Sequence, residues 1–260
     1  MQDRIVSYTG DKYGNRKYHS FLLQFLDKFD SHCRFYQIPY SLAYGSALGC
    51  VRNHGFIPWD DDVDVVMKRS DYSRFIDTIH KGETLFAKEC QIQIPSVLLK
   101  VFDSTCNDFP IHIDIYALDN VPDGRVRRIV KIYLVQMLKE IIIGRKGLAR
   151  IGKKKALSSR LRNVFTRVVS FPFSVEQIRN LYTSICSKNN LSKTRECGCY
   201  CAGQYSIGKY HPSTIMDRTI NMKFEDIELS IMEDYNLYLT KEFGSDYMIP
   251  KTKKGETING

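Results

Sequence analysis

Apolar residues recur with a helical spacing in several parts of the chain. Between residues 17 and 33 they fall on one face of a helix: Phe21, Leu22, Phe25, Leu26 and Phe29. Residues four apart lie above one another on a helix, so this spacing predicts an amphipathic helix. The same criterion predicts three more helices: residues 70–79, capped by Ser70 or Asp71, residues 175–188 and residues 233–243.

Shorter apolar runs bounded by turn residues predict strands. They lie at residues 42–44, 63–67, 97–102, 111–116, 197–205 and 221–229. The run at 111–116 alternates, so His112, Asp114 and Tyr116 share one face and three isoleucines share the other. Helices and strands alternate along the first half of the chain. The sequence therefore predicts an α/β (α+β) fold, with a mixed sheet flanked by helices.

Positive charge is concentrated in one segment. Residues 125–167 hold 14 Lys and Arg against the single acid Glu140, a local net charge of +13; because the whole chain carries +9, the rest sums to −4. Apolar stretches run beside these basic residues. We therefore predict an inserted basic helical region, residues 125–190, between a core segment, residues 1–124, and residues 191–260, whose strands and helix complete the core.

Two roles are expected for this basic region. The primary one is packing, with an apolar face on the core and a charged face in solvent. The additional one is peripheral contact of residues 125–167 with an anionic membrane, because basic residues beside an apolar face suit an interfacial helix. Aromatic residues are sparse there, so we expect no nucleic-acid partner.

The composition favours a folded cytoplasmic protein. Apolar residues make up 43% of the 260 residues and aromatic residues 12%, which is enough for a sizeable core. We find no signal peptide and no apolar run near the ~18 residues of a membrane span. Eight scattered cysteines indicate reduced thiols. The expected location is the cytoplasm, with a peripheral position at the inner face of the membrane as an addition.

Zinc is not expected as a cofactor, although three cysteines stand close together. Cys197, Cys199 and Cys201 alternate, and His211 follows ten residues later. Alternate residues of a strand put three thiols on one face but leave the chain too straight to surround a tetrahedral ion. Buried strand cysteines are the simpler interpretation.

The strongest chemical signal is a cluster of acids. Four aspartates occupy five positions, residues 60–64, directly before an apolar strand. Asp62 and Asp64 are two apart, so both side chains point to one face of an extended backbone. Carboxylates this close repel one another unless a cation neutralises them, and oxygen ligands suit Mg²⁺ or Mn²⁺. Asp114 could join them from a neighbouring strand, as a metal ligand or as a base.

A Gly-Ser pair precedes these acids. Residues 42–44 are expected to lead into a turn at Gly45 and Ser46, whose backbone N–H groups and hydroxyl could bind a phosphate, and residues 48–52 to form the next helical turn. Alone, the pair is a weak signal. With Asp-x-Asp on the next strand and a distant third acid, it resembles the arrangement found in nucleotidyltransferase-fold enzymes.

Longer runs make this resemblance specific. They are Tyr44-Gly-Ser-Ala-Leu-Gly-Cys-Val-Arg52, Gly55-Phe-Ile-Pro-Trp-Asp-Asp-Asp-Val-Asp64, His112-Ile-Asp-Ile-Tyr116 and Phe224-Glu-Asp226. Through them the chain is similar to the LicD family, which includes bacterial phosphocholine transferases and is related to the fukutin group. The resemblance implies a nucleotidyltransferase-like catalytic core in residues 1–124. It also implies transfer of a phospho-substituent, often phosphocholine from a CDP-linked donor such as CDP-choline, to a hydroxyl of a cell-surface glycan or lipid-linked glycan.

The family pattern also implies roles for single residues. Asp62, Asp64 and Asp114 fall on its acidic positions and are expected to be catalytic and to hold the metal. Four residues are expected to bind the donor phosphates: Gly45 and Ser46 at the turn, Arg52, which matches an arginine of the family, and Lys100, in a less exact element.

Two other functions fit the same sequence. A nucleotidyltransferase would attach the nucleotide monophosphate, rather than the phospho-substituent, to a small molecule or a protein. A non-catalytic protein on a degenerate transferase fold would bind the membrane surface through residues 125–167. The group that the donor releases distinguishes a nucleotidyltransferase from a phosphocholine transferase. Catalytic turnover distinguishes either enzyme from a non-catalytic protein.

Overall fold

The computed structural model describes residues 15–145, 172–202 and 208–250. The helices of this part are α1 (Arg16–Phe35), α2 (Tyr44–Asn53), α3 (Arg69–Lys81), α4 (Leu85–Glu89), α5 (Arg125–Arg145), α6 (Val175–Ser187) and α7 (Tyr235–Phe243). The strands are β1 (Ser41–Leu42), β2 (Val63–Lys68), β3 (Cys90–Gln93), β4 (Leu99–Asp103), β5 (His112–Val121), β6 (Glu196–Gly198), β7 (His211–Pro212), β8 (Thr219–Phe224) and β9 (Ile227–Met232). The α+β class is confirmed.

A mixed sheet forms the centre of the fold. Its strands lie in the order β1-β2-β5-β4-β3, and the last residues of β5 also pair with β6, which pairs with β7. Strands β2 and β5 are parallel, whereas β4 is antiparallel to β5. The register places Asp64 opposite Asp114 and Asp114 opposite Lys100. Three polar residues therefore stand in one row across β2, β5 and β4.

The apolar face of α1 packs on this sheet, as its spacing predicts. Leu22, Phe25 and Phe29 are buried. Phe29 lies 5.6 Å from Phe75 of α3, and Phe25 lies 5.1 Å from Phe86 of α4, measured between ring centroids. Each buried side chain of this size contributes roughly 1.5–3 kcal/mol, so α1 is firmly attached where it reaches the site described below.

A C-terminal hairpin extends the same core. Strands β8 and β9 are antiparallel, with Phe224 opposite Ile227. The single strand predicted over residues 221–229 is therefore wrong. Glu225, with a φ of 54°, and Asp226 make a tight turn in its middle. Phe224 and Leu229 are buried in the cluster that also contains the strand residues of β2.

Helices α5 and α6 form a second cluster beside the sheet. Val135, Leu138 and Ile142 of α5 are buried with Ile178 and Tyr182 of α6. In the described part of the basic region, residues 125–145 and 175–187 are helical. Among the described helices, none combines the length and apolarity needed to cross a bilayer.

Two local predictions also change, and three short segments were not predicted. Helix α3 begins at Arg69 and its N-cap, Lys68, makes no side-chain cap, so capping by Ser70 or Asp71 is wrong. Of the strand predicted over residues 197–205, residues 197–202 are described, and within them only Cys197 and Gly198 belong to a strand, β6, which therefore contains the first of the three cysteines; residues 203–205 lie outside the described residues. The segments β3, α4 and β7 were not predicted, because each has five residues or fewer and lacks a full period of apolar positions. The division into three segments stays a prediction.

Candidate active site

The structure brings the three predicted aspartates together. Asp64 and Asp114 are paired neighbours on the parallel strands β2 and β5, and Asp62 lies two residues before Asp64. One carboxylate oxygen from each lies within 4.8 Å of the other two. Three oxygen ligands at this separation could hold one hard divalent cation.

Burial and mutual repulsion shape the electrostatics of this cluster. Asp64 is only 9% exposed and Asp114 only 4%. Burial, followed by the charges of Asp62 and Asp114, raises the pKa of Asp64 well above its ordinary value. Burial, followed by Asp114 and Asp61, also raises the pKa of Asp62. The site therefore favours any added positive charge.

Lys100 supplies part of that charge from β4. Its Nζ donates to both carboxylate oxygens of Asp114, at 2.6 and 2.8 Å, and to Nε2 of His112 at 2.9 Å. His112 Nδ1 lies 3.0 Å from the carbonyl oxygen of Pro110, so Nδ1 carries the proton and Nε2 accepts. One ammonium against three carboxylates leaves two negative charges, which a single divalent cation balances.

The Gly-Ser pair belongs to helix α2, and not to a turn before it as the sequence predicted. Helix α2 begins at Tyr44, so Gly45 and Ser46 occupy its first turn rather than a turn before it. The change of direction comes earlier, where Ala43 is extended and Tyr44 has a φ of 43°. Ser46 Oγ accepts a hydrogen bond from the backbone N–H of Asp64 at 2.9 Å. The start of α2 is thereby tied to the acidic strand.

Gly45 makes room for another aspartate. A Cβ atom added to Gly45 would lie 2.6 Å from Oδ2 of Asp60. The carboxylate of Asp60 therefore occupies the space of the missing side chain, beside the positive end of α2, where a negative charge is favourable. Carboxylate oxygens of Asp60, Asp61 and Asp62 form a second close group. Asp60 thus lies beside the site, between the start of α2 and the carboxylates of Asp61 and Asp62.

Sequence reasoning missed two residues of α1 that hold the acidic loop. Tyr18 donates its hydroxyl hydrogen to the carbonyl oxygen of Asp61 at 2.7 Å. His19 Nε2 lies 2.7 Å from the carbonyl oxygen of Asp60, and its ring stacks on Phe56 at 4.4 Å. Burial and then the charges of Asp61 and nearby aspartates raise the pKa of Tyr18 to about 12. No periodic signal links a helix to a loop 43 residues away.

Tyr116 steadies Asp64 from the next strand. Its side chain hydrogen-bonds the carboxylate of Asp64, which favours the ionised form of that acid. Its ring packs edge-on against Tyr44 at 4.8 Å between centroids. The backbone N–H of Tyr44 in turn donates to the hydroxyl of Tyr238 at 3.2 Å. Sequence alternation placed Tyr116 on the face of Asp114, which is the available signal for this role.

Arg52 lies at the other end of α2. Its guanidinium donates to Asn53 Oδ1 at 3.0 Å and to the carbonyl oxygen of Tyr247 at 3.4 Å. Six residues separate it from Ser46, or about 9 Å along the helix axis. A contact between Arg52 and the donor diphosphate stays a prediction.

Glu225, in the turn of the C-terminal hairpin, fixes the loop that leads to the acids. Its Oε1 accepts a hydrogen bond from the backbone N–H of Phe56 at 3.0 Å, and its own N–H donates to the carbonyl oxygen of His54 at 2.7 Å. A side chain at Gly55 would overlap the Glu225 carboxylate. The close fit explains why a glycine stands at residue 55.

Replacing Glu225 by alanine should loosen this loop. The Phe56 N–H would lose its acceptor, which lowers the free energy of unfolding by about 1 kcal/mol, and we expect a several-fold lower rate of transfer because Asp62 follows the loop. Glu225→Gln keeps an acceptor oxygen and should retain most activity, and Asp226→Ala, one residue on, serves as the control. Urea unfolding and initial rates measure both effects. Equal rates for the alanine and glutamine variants would contradict this role.

Two comparisons with known proteins bear on the site. Residues 37–123 match the family model described as LicD/FKTN/FKRP, nucleotidyltransferase domain. Over 247 residues, 87% of this chain and 88% of the relative, the chain is 28% identical to the lipopolysaccharide cholinephosphotransferase LicD of Haemophilus influenzae. All seven predicted site residues lie within the range that the family model matches.

Proposed function

We propose that this chain is a LicD-type transferase of phosphorus-containing groups, since residues 37–123 match the LicD-family nucleotidyltransferase domain and the chain is similar to a LicD cholinephosphotransferase. It moves phosphocholine from a CDP-linked donor such as CDP-choline to a hydroxyl of a cell-surface glycan precursor. In this reaction the acceptor oxygen bonds to the phosphorus next to choline. The bond between that phosphorus and the bridging oxygen breaks, CMP leaves, and the hydroxyl proton passes to a base.

The proximity of Asp62, Asp64 and Asp114 is the observation that carries this proposal. Their oxygens lie within 4.8 Å of one another, and the charge they share is only partly offset by Lys100. These residues fit Mg²⁺ or Mn²⁺, which are bound through oxygen. A cation bound there would neutralise charge on the donor diphosphate and assist loss of the acceptor proton.

The chain's own groups would position the donor. Lys100 and His112 orient the carboxylate of Asp114, and Tyr116 orients that of Asp64. Gly45 and Ser46 lie at the positive end of α2, which favours negative charge, and a donor phosphate bound there would share this end of the helix with the carboxylate of Asp60. Ordered in this way, the groups need little reorganisation when charge builds up on the bridging oxygen.

The test is incubation of the purified chain with CDP-choline, Mg²⁺ and a choline-free lipopolysaccharide or lipid-linked glycan acceptor. We expect CMP release together with an acceptor that carries one added phosphocholine by mass, and loss of both on chelation with EDTA. Asp77→Asn, an exposed aspartate of α3, is the control for variants of the site.

Two outcomes would contradict the proposal. An acceptor that carries CMP, with phosphocholine released, would identify a nucleotidyltransferase instead. If CMP release is unchanged in EDTA, the reaction does not depend on the cation. A panel of other CDP-linked donors in the same assay identifies the head group that the chain prefers.

A further inference from the structure

Helix α5 exposes apolar side chains where a surface helix normally exposes polar ones. Its outward apolar residues are Val126, Ile129, Val130, Tyr133, Leu134 and Met137. Relative to Val126 they stand at positions +3, +4, +7, +8 and +11, a spacing that places them on one face of the helix. Val126 is 75% exposed and Tyr133 is 70% exposed. We call these six residues the outer stripe.

The outer stripe is not the packing face of α5. Val135, Leu138 and Ile142 on the opposite side already pack against α6 and the sheet. The six outer residues span an arc of about 140° and a length of about 17 Å, from standard helix geometry. The helix therefore has a second apolar face, which the described part of the chain leaves exposed.

Two lysines of α5 point inward, although apolar residues of the same helix point outward. Lys131 is buried, and its Nζ donates to the carbonyl oxygens of Asn120 and Cys186. Lys139 donates to the carbonyl oxygens of Cys201 and Ala202. The expectation that this helix turns its charged face to solvent is thus incomplete. Part of the charge anchors the helix, and the apolar stripe faces out.

Exposed cations flank the stripe. Arg125 and Arg127 border its two edges near the start of the helix, about 100° from Val126 on either side. Helix α5 as a whole, residues 125–145, holds six Lys and Arg against the single acid Glu140, a net charge of +5. This face combines exposed apolar side chains with arginines along its edges. Helices that lie in the interface of an anionic bilayer have the same combination.

Charge decides between the occupants of such a face. Two copies packed through this stripe would bring two positively charged helices, with Arg125 and Arg127 beside each stripe, together, which costs free energy. A nucleic acid would satisfy the charge but offers no apolar depth for Ile129, Val130 and Leu134. An anionic lipid surface satisfies both.

We propose that the outer stripe of α5 is a membrane-docking surface, which inserts its apolar side chains among the acyl chains of an anionic bilayer while the flanking arginines contact phosphate headgroups. The surface is separate from the aspartate cluster. It holds whether or not the chain transfers phosphocholine, because docking needs neither donor nor acceptor.

Vesicle co-sedimentation tests this surface. The full chain is mixed with vesicles of equimolar phosphatidylglycerol and phosphatidylcholine, or of phosphatidylcholine alone. We expect binding to the anionic vesicles that weakens as salt is raised, and a drop of about tenfold or more in the partition constant for the Ile129→Glu/Tyr133→Glu variant.

The control matches the change in charge. Phe35→Glu/Leu85→Glu alters two exposed apolar residues of α1 and α4 and should bind as the unaltered chain does. Circular dichroism confirms that both variants fold. Equal binding by the two double variants, or equal binding to both vesicle types, would overturn the proposal. A dimer that Ile129→Glu/Tyr133→Glu dissociates, with no vesicle binding, would assign the stripe to a second copy and overturn it as well.

Discussion

Replacing Asp64 by asparagine should reduce transfer by about 10³-fold or more while the chain stays folded. The side chain keeps its shape, but the site loses one of the three carboxylates that would hold the cation. Loss of several kcal/mol of charge stabilisation in the transition state corresponds to roughly this factor, since each 1.36 kcal/mol changes a rate tenfold. Asp64 is the residue chosen because it is buried and because the charges of both Asp62 and Asp114 contribute to its raised pKa.

The same variant should be no less stable without divalent cations. Removing one buried carboxylate relieves repulsion in the cluster, so the melting temperature in EDTA should stay level or rise. Initial rates of CMP release and thermal melts, each with and without Mg²⁺, measure the two effects, with Asp77→Asn as the control. Full activity in Asp64→Asn would contradict the role of this aspartate. Inactivity caused by unfolding would appear as a lower melting temperature in EDTA.

Replacing Asp119 by leucine should lower the free energy of unfolding by about 3–5 kcal/mol. Asp119 is fully buried, at 0% exposure. It accepts hydrogen bonds from Arg69 Nε at 2.9 Å and Nη2 at 2.5 Å, and from Asn190 Nδ2 at 2.8 Å. Without it, the largely buried guanidinium of Arg69 loses its counter-ion, and a buried charge without a partner is costly.

A second substitution separates charge from packing. Arg69→Met/Asp119→Leu removes both charges, and we expect it to recover most of the lost stability, because apolar pairs often replace buried ion pairs at little cost. Glu233→Gln breaks an exposed pair with Arg218 and should change stability by less than about 1 kcal/mol. Urea unfolding measures all of these variants. A double variant as unstable as Asp119→Leu alone would show that this pair is needed for shape rather than for charge balance.

The acidic cluster could be predicted because two short-range rules meet there. A period of two places Asp62 and Asp64 on one face, and the same period places Asp114 on one face of its own strand. The pairing of these two strands is a long-range contact that no local pattern shows. It could still be expected, because the carboxylates of both strands need a cation to neutralise them. The structure places Asp64 and Asp114 directly opposite each other.

The supporting residues could not be predicted in the same way. Tyr18 and Glu225 reach the acidic loop through single hydrogen bonds across 43 and 169 residues of sequence. Such contacts leave no periodic pattern. The family resemblance assigned Lys100 to the donor phosphates, and that contact stays a prediction; its hydrogen bonds to Asp114, which the structure shows, were not predicted. The start of α2 shifted because the positive φ of Tyr44 makes a turn that usually calls for glycine.

Tertiary packing explains the remaining differences in the fold. The hairpin of β8 and β9 turns at Glu225 and Asp226, which are common surface residues and give no glycine or proline signal. Local propensity was overruled there.

Direct measurement of cation binding tests the central claim. Titration of Mn²⁺ into the full chain, followed by electron paramagnetic resonance in the presence and absence of CDP-choline, counts the ions held. The account predicts Mn²⁺ binding that Mg²⁺ displaces, that CDP-choline strengthens, and that Asp64→Asn weakens by about 10-fold or more while Asp77→Asn leaves it unchanged. Equal Mn²⁺ affinity in Asp64→Asn and the unaltered chain, or no binding at all, would contradict a metal centre at these aspartates.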